Sequence, residues 1–119
     1  MTAQVTPVRL LLVELDQDDP ATRTLARALR DEGAEVVYTF ASTADEVAAA
    51  AAQEDVRAVG FVVRTDAQRS VVAEVAGRGG IVVFATADSD EPVLLRAGVA
   101  AVFPPESGEQ VVTWAGKQT

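Results

Sequence analysis

Runs of apolar, often β-branched residues alternate with helical patterns five times along the chain. Apolar runs of this length, bounded by glycine, proline and acidic residues, are typical of buried strands. They predict five strands, at residues 8–14, 35–39, 57–63, 81–86 and 99–103.

The segments between these strands carry the start and stop signals of helices. Asp19 and Pro20 suit the N-cap and first helical positions, and Gly33 suits a left-handed stop after the first helix. Thr43 and Glu46 match a capping box, which predicts a second, alanine-rich helix through Gln53. Three more helices are expected at residues 67–76, at 91–97, and after residue 107, where Ser107 is the expected cap.

Strict β–α alternation with apolar strands predicts one flavodoxin-like (Rossmann-like) α/β domain. Its parallel sheet is doubly wound, five-stranded and of order 2-1-3-4-5. The domain is expected over residues 8–116, with tails at 1–7 and 117–119. Ligands of such folds bind outside the carboxyl ends of the strands, which directs attention to residues 15–20, 64–66, 86–90 and 104–107.

Composition removes several classes of chemistry. The 119 residues include neither cysteine nor histidine, which excludes disulfides, thiolate metal sites and histidine bases or ligands. A net charge of −8 disfavours nucleic acid and anionic membrane surfaces as partners. With no apolar run long enough to span a bilayer and no signal-peptide pattern, the expected location is the cytoplasm.

Two framework segments carry a resemblance to a known family. Residues 25–60 (LARALRDEGAEVVYTFASTADEVAAAAAQEDVRAVG) and 94–116 (LLRAGVAAVFPPESGEQVVTWAG) resemble the cobalamin-binding domain of acyl-CoA mutases, as in the small C-terminal domain of methylmalonyl-CoA mutase. The similarity extends from Val8 to Gly116. It implies the fold expected above and a domain that serves a separate catalytic barrel.

The family's ligand motifs are mostly absent. Its Asp-x-His-x-x-Gly, whose histidine ligates cobalt, falls on Asp16, Asp18 and Ala21, so the histidine is replaced by aspartate. Its later motifs are Ser-x-Leu, Gly-Gly and Gly-Pro-Gly. They fall in turn on Val62 and Arg64, on or near Phe84 and Ala85, and on Pro104, Pro105 and Glu106.

These replacements indicate a vestigial pocket. The resemblance implies a slot beside the sheet for the nucleotide tail of cobalamin, and Val62 and Phe84 add side-chain volume there. Overfilling a packed core costs about 1–3 kcal/mol, so these side chains are expected to fill the slot themselves. No cofactor is therefore expected, with cobalamin as the alternative, and no catalytic or metal-binding residue is assigned.

The acidic run Asp16, Asp18 and Asp19 has two interpretations. It could hold a divalent cation, as in response-regulator receivers of the same topology, or form a solvated loop that caps the first helix. Receivers also need an aspartate after the third strand and a lysine after the fifth. This chain has Val63-Arg64 and Phe103-Pro104 at those places, and only Thr86 matches.

For several other polar and aromatic residues, a structural role is weighed against a functional one. Arg64, Thr65, Asp66 and Thr86 could bind an anion or could simply be loop residues. Ser42 and Ser107 lack an activating neighbour and are interpreted as caps. Tyr38 and Trp114 are interpreted as packing residues.

Three functions remain open. The first is a non-catalytic module that has lost cobalamin and works as an interaction, regulatory or structural subunit, for example of an acyl-CoA mutase-like assembly. The second is a corrinoid-carrying small subunit without a protein histidine ligand. The third is a pseudo-receiver signalling domain. The first and second predict another protein chain as partner, and self-association stays open.

Overall fold

The computed structural model describes residues 7–15 and 19–118. The elements follow in the order β1 (Arg9–Glu14), α1 (Pro20–Asp31), β2 (Glu35–Phe40), α2 (Ala44–Glu54), β3 (Ala58–Val63), α3 (Asp66–Gly77), β4 (Val83–Ala87), α4 (Glu91–Ala97), β5 (Ala101–Phe103) and α5 (Gly108–Ala115). None of the helices in these ranges has the length and apolarity of a membrane span.

The helix starts follow the capping chemistry of the sequence. The Asp19 carboxylate accepts a bond from the Ala21 amide at 3.1 Å, and Thr43 and Glu46 form the expected capping box. A second capping box, Thr65 with Gln68, begins α3 and was not predicted. The assignment of Ser107 as a side-chain cap is wrong, because its hydroxyl donates to the Pro104 carbonyl oxygen instead.

The strands form one parallel sheet of order β2-β1-β3-β4-β5, which confirms the predicted topology. Two strands begin two residues later than expected. β5 is shortened because the Val99 amide donates to the Leu94 carbonyl at the end of α4, so that part of the chain still belongs to the helix end.

The core forms two layers, one on each face of the sheet. One lies under α1 and α5 and includes Leu10, Leu12 and Phe84; it is called the α1–α5 layer. The other lies under α2, α3 and α4 and includes Leu11 and Phe61. The central strands β1, β3 and β4 are buried as predicted, whereas the edge strands β2 and β5 are half-buried because each has one neighbour.

Candidate functional site

An ion pair bridges the switch point between β1 and β3. Arg64, just after β3, donates from Nη2 to Oδ1 of Asp19 at 3.1 Å, and Asp19 is buried. The second oxygen of Asp19 accepts the Thr22 hydroxyl at 3.1 Å. Both oxygens of this carboxylate therefore have protein partners.

The side chains that follow β3 also have partners within the protein. Thr65 and Gln68 are joined in the capping box, and Asp66 pairs with Arg69 at 2.7 Å. Because Arg64 also has its own partner, the geometry favours loop structure over the anion site considered for this segment.

A second buried carboxylate ends β1. Glu14 is buried beneath α1, and its Oε1 accepts the Tyr38 hydroxyl and lies 3.5 Å from Nη1 of Arg23. Its Oε2 has no hydrogen-bond partner among the described residues. Sequence reasoning treated Tyr38 as a packing residue and did not single out Glu14. The sequence did contain a signal for Glu14, because it is a glutamate at the end of an otherwise apolar strand.

We expect the contact between Tyr38 and Glu14 to make the free energy of unfolding decrease at alkaline pH. Burial, the bond to Glu14 and the charge of Glu14 raise the pKa of Tyr38 above its ordinary value of 10. A raised folded-state pKa means that stability is full below about pH 10, the unfolded value, and declines above it, by at most about 1.4 kcal/mol per pH unit. Urea unfolding of the wild type and of Tyr38→Phe between pH 8 and about 11 measures this. The substitution should flatten the decline, and an equal decline in both proteins would contradict the assignment.

A cleft of about 460 Å³ opens at the carboxyl ends of the strands, between α1 and the loop that follows β5. Its lining includes five positions named in the sequence analysis, which are Ala21, Val62, Thr86, Pro105 and Glu106. The other lining residues are Thr24, Leu25 and Ala28. Thr24 was missed, since a threonine inside a predicted helix does not by itself indicate a ligand site. The lining is mainly apolar, with Glu106 as its charged residue.

Phe84 lies in the α1–α5 layer and is fully buried. Its ring sits against Gly60 on the neighbouring strand: a Cβ built on Gly60 would lie 2.1 Å from Cζ of Phe84. The ring also makes edge contacts with Phe103 and Trp114, at centroid distances of 6.4 and 5.7 Å. These three side chains are called the aromatic cluster. The absence of a side chain at Gly60 makes room for the ring.

Glu106 has a left-handed backbone, with a φ of 63°. The resemblance aligns it with the last position of the family's Gly-Pro-Gly motif. A non-glycine residue in this conformation stores about 1 kcal/mol of strain.

We therefore expect Glu106→Gly to stabilise the protein by about 0.5–1 kcal/mol, because relief of strain exceeds the added freedom of the unfolded chain. Glu109→Gly, at an exposed position in the first turn of α5, is the matched control and should destabilise by about 0.5–1 kcal/mol. Thermal unfolding measures both. Equal losses of stability would show that residue 106 carries no strain.

The remaining predicted positions do not come together. Ala85 lies on the opposite face of the sheet, in the layer under α2, α3 and α4. Pro104 borders a shallow hollow beside Ala87 and Glu91. Asp16 and Asp18 lie outside the described residues. Within the described ranges, no group of three or more acidic residues is placed to hold a metal ion.

Comparisons with known proteins give the family of the chain and support its fold. The chain is 33% identical to the 2-hydroxyisobutanoyl-CoA mutase small subunit of Aquincola tertiaricarbonis, over 90% of this chain and 88% of the relative. No family model matches the sequence.

Among solved structures, a cobalamin-binding protein from Desulfitobacterium hafniense superposes with a TM-score of 0.75 at 15% identity, over 91% of this chain. This chain spans 58% of that protein. The receiver domain of the response regulator NarL from Mycobacterium tuberculosis gives a TM-score of 0.67 at 18% identity, over 94% of this chain and 98% of the domain. At these low identities, the two superpositions establish that the fold is shared.

The fold, the framework segments and the curated relative lead to one assignment. The chain has the cobalamin-binding-type α/β fold and belongs to the family of the 2-hydroxyisobutanoyl-CoA mutase small subunit.

Proposed function

We propose that this chain is a non-catalytic small subunit that has lost cobalamin and serves an acyl-CoA mutase-like assembly through protein contacts, as an interaction, structural or regulatory component. The observation that carries the proposal is the fully buried Phe84, which fills the space above Gly60 in the α1–α5 layer. Membership of a mutase small-subunit family supports a protein partner.

An imidazole ligand for cobalt is missing from this chain. The chain contains no histidine, so no imidazole of this protein can coordinate the metal. The resemblance places an aspartate, Asp18, at the ligand position. A carboxylate prefers hard cations, so it is a poor substitute for an imidazole on cobalt.

Space beside the sheet is restricted around Phe84. Its buried ring fills the room above Gly60 in the α1–α5 layer, and a close-packed layer admits no additional aromatic ring there without displacing a side chain. Val62, on the same face, borders the open cleft instead. The fit of Phe84 supports a site that no longer takes a corrinoid in the family's usual manner.

The crevice also offers little acid–base chemistry among the described residues. The two buried carboxylates near the crevice are held by internal partners, Glu14 by Tyr38 and Asp19 by Arg64. Acid–base catalysis needs a group that can reach a substrate proton, and the chain has no histidine or cysteine to offer instead. This supports a subunit without chemistry of its own.

A second candidate is a corrinoid-carrying subunit that uses no protein histidine. The cleft of about 460 Å³ beside Val62 and Thr86 favours it, because part of the crevice remains open. The 33% identity to a mutase small subunit favours it as well. Under this alternative Ala21, Pro105 and Glu106 would border the ligand.

Affinity purification of the tagged chain from its own source tests the subunit role. The expected result is a mutase-type large chain recovered in near-equimolar amount and identified by mass spectrometry. A matched variant, Arg57→Glu at the amino-terminal side of β3 and away from the cleft, should recover the same chain. Recovery of no large chain, or only of signalling proteins as expected for a pseudo-receiver, would contradict the proposal.

A further inference from the structure

The open cleft at the carboxyl ends of β3 and β4 has the size and lining of a small-molecule site. Val62 and Thr86 are register partners on these two strands, and they form the part of the lining that belongs to the sheet. Ala21, Leu25 and Pro105 add apolar surface from α1 and from the loop after β5. Its volume of about 460 Å³ suits a compact ligand, since such sites are mainly apolar and contain a few polar groups.

The first polar group of the cleft is the hydroxyl of Thr86. Phe84, two residues earlier in β4, lies in the α1–α5 layer, so the alternation of a strand turns Thr86 to the same face, where the cleft lies. Thr86 is only 3% exposed, and its hydroxyl has no hydrogen-bond partner among the described residues. Buried hydroxyls in proteins are nearly always hydrogen-bonded. The hydroxyl of Thr86 is therefore available to a ligand.

The second polar group of the cleft is the carboxylate of Glu106. It is exposed at the cleft and has no ion-pair or hydrogen-bond partner in the part of the chain that the structure describes. The nearby charges of Arg64 and Asp19 are paired with each other at 3.1 Å, so they largely cancel. The unpaired negative charge of Glu106 then favours a positively charged group in the cleft.

The backbone of Glu106 gives a separate indication that its side chain is used. The other described non-glycine residues with positive φ are Asp55 and Asp90, and aspartate is a residue type that is enriched in this region. Glutamate is not among the residues that favour it. Strained residues of this kind are concentrated at ligand-binding and other functional sites. A contact between the Glu106 carboxylate and a ligand accounts for a costly residue at this turn.

We propose that the cleft binds a small organic cation. Its positively charged nitrogen pairs with the Glu106 carboxylate, and its apolar body lies between α1 and the loop after β5. A hydroxyl or other polar atom on that body bonds to the Thr86 hydroxyl. Binding of such a cation goes beyond the subunit role and requires neither a partner chain nor a corrinoid, so it is measured on the isolated full chain, separately from both.

Protein-observed NMR titration at neutral pH compares two probes of opposite charge. Tyramine has an aromatic body, a hydroxyl and a protonated amine, and para-hydroxyphenylpropionate has the same body and hydroxyl with a carboxylate. We expect tyramine to bind with a dissociation constant of about 1 mM, as befits so small a compound, and to shift the amides of Val62, Thr86 and Glu106. It should bind at least about tenfold more tightly than the propionate.

A charge-removing variant tests the role of Glu106. Glu106→Gln keeps the size of the side chain and should weaken tyramine binding by about tenfold at about 0.15 M salt, where distant charges are screened. Glu109→Gln is the matched control, because Glu109 is an exposed carboxylate outside the cleft lining. It should leave the dissociation constant unchanged, and circular dichroism checks that both variants fold.

Thr86→Val separates ligand binding from a structural role. It should weaken tyramine binding by about fivefold, the loss expected for one hydrogen bond. It should not lower the stability of the ligand-free protein, because the hydroxyl has no partner there among the described residues. Absence of saturable tyramine binding at millimolar concentrations, equal affinity for the two probes, or shifts centred outside the cleft overturns the proposal. Equal responses to Glu106→Gln and Glu109→Gln overturn it as well.

Discussion

Phe84→Ala is expected to lower the free energy of unfolding by about 3–5 kcal/mol, the range for truncating a buried phenylalanine. Phe84 is fully buried and contacts both Phe103 and Trp114, so its removal leaves a cavity inside the aromatic cluster. Chemical denaturation followed by far-UV circular dichroism measures the loss.

Phe40→Ala is the matched control for this substitution. It removes the same side chain from a position that is 67% exposed, so about 0.5 kcal/mol or less should be lost. Similar losses for the two substitutions would mean that the Phe84 ring does not fill the α1–α5 layer.

Gly60→Ala is expected to destabilise the protein by about 3 kcal/mol, at the upper end of the range for overpacked cores. The new Cβ would lie 2.1 Å from Cζ of Phe84, a distance that forces the ring or the strand to move. The ring is enclosed by Phe103 and Trp114 and cannot move freely. Thermal and denaturant unfolding measure the loss.

The double variant Gly60→Ala/Phe84→Ala isolates the contact. If the ring is the obstacle, adding Gly60→Ala to Phe84→Ala costs much less than adding it to the wild type, and the cycle shows a coupling of about 1–3 kcal/mol. Gly33→Ala serves as the control, since a Cβ at Gly33 meets no atom within 4 Å and its cost comes from its positive φ alone. An additive cycle would contradict the packing described above.

Much of the fold could be predicted from the sequence because its signals are local. Alternating apolar runs predict strands, and Asp19, Thr43 and Gly33 mark helix ends through their own capping geometry. Strand order then follows from general rules of connection. The starts of β4 and β5 were less predictable. At β5 the apolar run continues into residues that still bond to the end of α4, as the Val99 amide does to the Leu94 carbonyl, and an apolar pattern does not mark that bond.

The candidate site was harder to predict because its contacts join distant parts of the chain. Of the positions that the resemblance assigns to the ligand motifs, Pro105 and Ala21 line one cleft, whereas Ala85 faces the other layer. The Arg64–Asp19 pair joins residues 45 positions apart, and neither residue type signals the other. The fit of Phe84 against Gly60 depends on strand register, which composition and periodicity do not contain.

The framework of this chain is that of its family, and its sheet superposes on a cobalamin-binding protein. The positions that the resemblance assigns to the ligand motifs carry larger or charged side chains, such as Phe84 and Asp18. Under the proposed function, the fold is kept for its contacts while the site has changed, since a fold can be retained apart from the function of its site.

Cobalamin titration tests the central claim most directly. The purified chain is mixed with hydroxocobalamin and, separately, with adenosylcobalamin, then desalted and examined by visible absorbance. The cobalamin-binding protein from Desulfitobacterium hafniense serves as the positive control. Our account predicts that no corrinoid elutes with this chain under conditions in which the control is coloured. Near-equimolar retention of either corrinoid would contradict it and would identify the chain as a carrier subunit.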